Sequence, residues 1–185
     1  SYIQSAETTL HPGPPPKPAQ ARLALWPGLD VPKGLVQPII VSSDEQCGDA
    51  TPEHWCVFAS MIVGNAKQEM GKRVALAGDQ SLVMKFVYNT TLKGYHQSLF
   101  IPPNPQPVSI LNIASGPSTS FYTATECQSK HAGTVNAHTY TETTIVLSEP
   151  DPNWGKTPTY SFMGCADSAT TDDGGKTWKI GTIHM

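Results

Sequence analysis

The chain has 185 residues, of which 38% are hydrophobic and only 15% charged, and its formal net charge is −3. That length can bury one full core, while the charge falls below the quarter or so usual for a globular domain. The absence of any basic block excludes nucleic acid and anionic membrane surfaces as expected partners, and no apolar run approaches the roughly 20 residues needed to span a bilayer.

Residues 1–20 read as an extended, Pro-rich N-terminal segment. Its His11-Pro-Gly-Pro-Pro-Pro-Lys-Pro run has no means of forming a helix and suits a tail or an arm laid over a sheet. The chain opens at Ser1, which fits a mature form with its leader removed or a trimmed form. Residues 21–185 read as a single domain. Arg22-Leu-Ala-Leu-Trp predicts a first strand stopped by Pro27-Gly28. Residues 34–42 predict a second, placed at an edge or bulged because Pro38 cannot donate to a ladder. Residues 54–63 are apolar on both faces and predict a central strand, and the polar stretch 65–73 a loop or short helical turn. Residues 81–89 and 94–101, joined by Thr90-Thr-Leu-Lys, predict a hairpin.

After the breaker cluster Pro102–Pro107, shorter strands are expected at 108–114 and 121–127, a long one at 135–147, and closing ones at 159–164 and 177–183. Nine or ten strands, Gly/Pro punctuation and no amphipathic helix predict an all-β fold. The form expected is an antiparallel β-sandwich or jelly roll with few or no helices.

The stretch Val135-Asn-Ala-His-Thr-Tyr-Thr-Glu-Thr-Thr-Ile-Val-Leu carries the chemistry. Strict alternation puts Asn136, His138, Tyr140 and Glu142 on one face. Such a face is either the floor of a groove or a wet outer surface. In a groove, His138 can serve as a base near neutral pH, Tyr140 as a proton donor and Glu142 as the orienting carboxylate. Gln37, inside an otherwise apolar strand, must be hydrogen-bonded at a bulge or point into a groove with other polar groups. Trp26, Tyr95, Tyr122 and Tyr140 offer rings, and Gln37, Gln97 and Asn136 amides, to a sugar. For Trp26 and Tyr95, core packing is an equal alternative. The histidines show no metal-ligand spacing, so neither metal nor cofactor is expected.

Four cysteines without zinc spacing predict disulfides and a secretory route, with Cys47–Cys56 and Cys127–Cys165 the preferred pairs. Asn89-Thr-Thr is a candidate glycosylation sequon. Thr171-Asp-Asp-Gly-Gly-Lys-Thr-Trp matches the Asp-box pattern and resembles the hairpin turn repeated in sialidases and other glycan-active propellers. A single copy reads as a structural turn, with Asp173 bonding its own amides, Gly175 at positive φ and Trp178 packed beneath.

The order Trp26-Pro-Gly-Leu, Leu35-Val-Gln-Pro, Trp55-x-x-Phe-Ala, Gly78-Asp79 before a strand, and Cys127 before Val135-Asn-Ala resembles the fungal glutamic peptidases, the eqolisins. The resemblance implies a concanavalin-like jelly roll of two curved sheets, with Gln37 matching the family's catalytic glutamine. His138 stands where that family has its glutamate, and Glu142 is the nearest carboxylate on the expected face.

Three functions follow as expectations. The first is a secreted glycan-binding or glycan-active protein using a concave face with Gln37, His138, Tyr140 and Glu142. The second is an acid peptidase acting on polypeptide through Gln37 and Glu142. The third is a secreted structural or effector-type protein acting through a surface.

Overall fold

The computed structural model describes residues 1–17, 23–42, 47–48, 51–127, 135–161 and 164–185. It is an antiparallel two-sheet sandwich whose helical content among the described residues is two 3-10 turns, Gly64–Ala66 and Trp154–Lys156. The strands in chain order are β1 (Ile3–His11), β2 (Leu23–Val31), β3 (Gly34–Val36), β4 (Ile39–Ser42), β5 (His54–Phe58), β6 (Ser60–Val63), β7 (Lys67–Met70) and β8 (Val74–Ala77). There follow β9 (Leu82–Asn89), β10 (Gly94–Phe100), β11 (Ser109–Ile113), β12 (Tyr122–Cys127), β13 (Thr139–Leu147), β14 (Cys165–Ala166) and β15 (Thr177–His184). One sheet runs β11-β10-β9-β1-β13-β15-β14; the other runs β7-β6-β3-β2-β4-β5-β8, with β12 also paired to β2.

β2 continues through Pro27-Gly28 instead of stopping there, while Arg22 lies outside the described residues. Leu29 pairs with Val36 and Leu25 with Ile40 in one register, so Pro27 falls opposite Pro38. Neither proline can donate an amide hydrogen, and the ladder pauses there. The expected second strand is therefore two, β3 and β4, both inside the sheet. The expected third strand is likewise β5 and β6, interrupted at Ala59. The polar stretch 65–73 holds β7 as well as a turn, because Lys67–Met70 pairs with β6 at a sheet edge where polar side chains stay wet.

The N-terminal segment also departs from its expectation. Ile3–His11 is a strand at the centre of the first sheet, between β9 and β13, with Ile3, Ala6, Thr8 and Leu10 buried. Its Thr- and Glu-containing sequence disguises an apolar inner face that a bulge puts out of phase after Ile3.

Between the sheets, Leu10, Leu25, Ile40, Trp55, Leu82 and Tyr140 form one cluster and Ile3, Leu29, Phe86, Tyr95, Ile145 and Trp178 another. Each large apolar side chain so buried contributes about 1.5–3 kcal/mol. A smaller cluster of Ala24, Ile39, Cys56 and Phe58 covers the other face of the second sheet, closed by the Cys47–Cys56 disulfide. The second expected disulfide is absent: Cys127 and Cys165 are free and exposed. Each is held by a ladder of a different sheet, Cys127 opposite Leu23 and Cys165 opposite His184, and a bridge needs its two Cα atoms within about 7 Å.

Candidate functional site

The strand expected from Val135 begins at Thr139, and Glu142 adopts φ +54°. That left-handed residue inserts an irregularity against β1 and switches the alternation. His138 and Tyr140 are buried before it, Thr143, Ile145 and Leu147 after it, and Glu142 is turned out to solvent. Thr143 Oγ1 lies 2.7 Å from Thr8 Oγ1 in the interior, fixing the new phase. The expected row of Asn136, His138, Tyr140 and Glu142 therefore does not exist. Asn136 is exposed, and its Nδ2 donates to Pro14 O at 3.2 Å.

Gln37 sits in the break between β3 and β4, where its amide donates to Ser60 O at 2.9 Å. Its side chain is buried, and Oε1 has no hydrogen-bond partner among the described residues. His138 instead approaches Thr125 of β12, which pairs with Leu25. From Thr125 to Gln37 is three residues along the strands and two strands across, on the order of 14 Å. Gln37, His138 and Glu142 thus do not form one constellation. Tyr95 and Gln97 are fully buried. The Tyr95 hydroxyl donates to Ile3 O at 2.7 Å and accepts the Ser118 amide at 3.1 Å, while Gln97 Oε1 accepts the Ser60 amide at 3.2 Å. Both are interior groups out of reach of a sugar, as is Tyr140, whose hydroxyl is buried without a partner among the described residues. Trp26 is half-buried, its Nε1 donating to Glu126 Oε2 at 3.2 Å and its ring lying across Gly28.

His138 is 3% exposed. Burial lowers its pKa below the ordinary 6.5, against the raising effect of Asn136 O, 3.0 Å from Nδ1. Nδ1 is thereby assigned the proton, and Nε2 accepts from Thr125 Oγ1 at 3.3 Å. A histidine with a depressed folded pKa stabilises the fold above its unfolded pKa, and that contribution is lost as pH falls through the folded value. Melting temperature is therefore expected to drop on acidification below about pH 6.5. His138→Gln is expected to flatten that slope; an unchanged slope would contradict the assignment.

A cleft lies elsewhere in the described structure. With a volume of about 650 Å³, it opens between the start of β12, the loop 151–161 and the β14–β15 edge. Phe121, Tyr122, Trp154 and Tyr160 line it, with Tyr122 42% and Tyr160 53% exposed. Asp151 and Asp167 supply carboxylates, and no described lining residue is Lys, Arg or His. Asp151 Oδ1 accepts the Asn153 amide at 3.0 Å and Asp167 Oδ2 the Thr182 amide at 2.8 Å. Each therefore keeps a second oxygen unclaimed among the described residues. Aromatic faces beside carboxylates and hydroxyls suit a ligand with both apolar and hydroxylated surfaces.

The Asp-box turn braces this cleft. Asp173 Oδ1 accepts the amides of Lys176 and Thr177 at 3.0 and 2.8 Å, and Thr171 Oγ1 donates to it at 3.0 Å. These bonds, the Thr177 amide foremost, hold its carboxyl down to about 2. Gly175 takes φ +93°, and its carbonyl accepts the Asp151 amide at 3.0 Å. Trp178 packs under Trp154 with ring centroids 6.2 Å apart, and Trp154 Nε1 donates to Thr119 O at 2.8 Å. The structural reading of the motif agrees with this geometry. Its contact with the 151–154 turn, together with the Tyr122 ring, is the signal in the sequence that leads to the cleft.

No family model and no curated protein matches the sequence. Among solved structures, the fold is similar to that of Scytalido-glutamic peptidase. With a peptide-based transition-state analogue that enzyme aligns at a TM-score of 0.49, and with a transition-state-analogue inhibitor at 0.50. In both cases identity is 14%, covering 98% of this chain and 93% of the other. The likeness is one of fold, the β-sandwich of the glutamic peptidases.

Proposed function

We propose that this is a secreted protein that binds a neutral extracellular oligosaccharide in the cleft of Tyr122, Trp154 and Tyr160. The carrying observation is that cleft, with two half-exposed tyrosine rings, two carboxylates, and no cation on its described lining. Sugars stack on aromatic faces and give their hydroxyls to carboxylates. Secretion is supported by the Cys47–Cys56 disulfide. Asn89, the exposed last residue of β9 with Oδ1 accepting the Leu92 amide at 2.8 Å, is the sequon residue that would carry a glycan in this reading.

Isothermal titration against a panel of neutral oligosaccharides tests this reading. Saturable binding by at least one member is expected, and a folded sample that binds none would overturn it.

The glutamic-peptidase alternative rests on the fold shared with Scytalido-glutamic peptidase. It needs an amide and a carboxylate acting on one bond, whereas Gln37 is buried in a strand break and Glu142 faces solvent from the other sheet. A denatured protein substrate is accordingly expected to survive incubation with this protein at about pH 3–4, where carboxylates titrate. Cleavage that persists in the presence of pepstatin would contradict that expectation.

A further inference from the structure

The segment that leaves β1 crosses from the first sheet to the second as a Pro-rich strap, and the way it is held is that of a bound peptide. Pro12, Pro15 and Pro16 are buried, while Pro14 and Lys17 face solvent. Two successive carbonyls are read by side chains from opposite sheets. Trp55 Nε1 donates to Gly13 O at 2.7 Å, and Asn136 Nδ2 donates to Pro14 O at 3.2 Å. At the far end Lys17 Nζ lies 2.6 Å from Glu53 Oε2. Gly78 is backed directly onto Pro14, where any Cβ would overlap the strap's backbone.

Gly13 takes φ +67° and so departs from polyproline II, but the strap makes no internal backbone hydrogen bond among the described residues, and, as in polyproline II chains, its carbonyls are available to donors. Proteins that recognise them use aromatic-lined grooves, exploiting the low entropy of the preformed helix. Here an indole donor, an amide donor, a glycine that permits close approach and an acidic residue facing a cation are assembled at the open end of the sandwich.

We infer that the groove formed by Trp55, Gly78, Asn136 and Glu53 is a recognition site for an extended proline-rich peptide bearing a basic residue, occupied in cis by residues 12–17. The occupant from another chain has the chemistry the strap displays: buried prolines, two accessible carbonyls and a lysine or arginine opposite Glu53. Because the strap is tethered at both ends, it competes at high effective concentration. The groove therefore accepts a partner only when the strap is loosened. This site is separate from the aromatic cleft and does not depend on the proposal made for it.

The test uses the full chain with Pro15→Gly, Pro16→Gly and Lys17→Glu, which loosen the strap and leave the groove intact. The probe is a synthetic peptide of residues 11–17. The Trp55 indole N–H resonance, assigned with Trp55→Phe, is followed by NMR. The indole is expected to be protected from exchange in the unaltered protein and unprotected in the variant, with protection restored by the peptide. The peptide is expected to bind the variant at least tenfold more tightly than the unaltered protein, and an alanine-for-proline peptide to have no effect. Should the triple variant not fold, Lys17→Glu alone, which sets a carboxylate on the strap against Glu53, is followed with the same peptide and the same indole resonance. An indole that stays protected in folded variants, or one that is exposed yet indifferent to millimolar peptide, would overturn the inference.

Discussion

Gly175→Ala is expected to lower stability by roughly 3–4 kcal/mol, the strain of a left-handed alanine compounded by backbone overlap. At φ +93° an L-residue is strained in any surroundings, and a Cβ there would also collide with the carbonyl of Asp151 and the nitrogen of Pro152. The collision is with backbone, so no side-chain rotation relieves it. For a domain of this size the loss corresponds to a fall in melting temperature of roughly 6–15 °C. Gly174 is the internal control, since it has φ +74° but open space within 4 Å of where a Cβ would stand. Gly174→Ala is expected to cost only about 1 kcal/mol, from backbone strain alone. Calorimetry on the two variants separates the terms. Equal effects would mean that the Asp-box turn does not press on the 151–154 segment. Because Asp151 and Trp154 line the cleft, Gly175→Ala is also expected to weaken ligand binding at temperatures where the protein remains folded.

The second large effect concerns binding alone. Tyr122→Ala combined with Tyr160→Ala is expected to weaken oligosaccharide binding by about a hundredfold, each ring contributing on the order of 1–1.5 kcal/mol. Melting temperature should be nearly unchanged, because both rings are substantially exposed and surface substitutions of this kind usually stay within about 0.5 kcal/mol. Trp154→Ala is less clean. Its ring packs on Trp178 and its Nε1 is bound to Thr119 O, so stability and binding fall together. Titration calorimetry of the double variant beside thermal unfolding makes the distinction. A double variant that binds as well as the unaltered protein would place the ligand elsewhere.

The two-sheet architecture is legible in the sequence wherever apolar alternation and turn chemistry agree. Ser81–Asn89 and Gly94–Ile101 are the clearest case, since the hairpin formed by β9 and β10 has a short turn between two regular strands. Legibility fails where local chemistry and tertiary pairing disagree. Pro27-Gly28 looks like a stop, yet β2 has partners on both sides that carry it through. Ile3–His11 looks like a lead-in because its Gln, Ser, Glu and two Thr residues mask its inner face, but β9 and β13 supply the rest of the layer. In residues 135–147, His138 and Tyr140 have even numbers while Ile145 and Leu147 have odd ones. That conflict marks a change of phase, and the positive φ at Glu142 is its cause.

The candidate site is less legible than the fold. The cleft is assembled from the start of β12, the loop 151–161 and the segment leading into β15. These segments become neighbours only through sheet pairing. The start of β12 is legible as strand, whereas 159–164, expected as a strand, has none among its described residues, because its Pro- and Thr-rich chain finds no ladder partner there. The Asp box is the exception, because its local hydrogen bonds are encoded by residue type and spacing. What it braces is a matter of tertiary contact. The eqolisin-like order of short motifs points to the right fold for a similar reason: those motifs sit at strand breaks and close approaches such as Trp26 over Gly28, which belong to the architecture.

The most direct measurement is two-dimensional NMR of the ¹⁵N-labelled protein during titration with the tightest-binding neutral oligosaccharide of the panel. Binding in the aromatic cleft predicts saturable shifts concentrated at Tyr122, Asp151, the Trp154 indole, Tyr160 and Asp167, with Gln37 and His138 unmoved. Shifts centred on the Gln37 break or the His138 end of the sandwich, with the cleft silent, would contradict it.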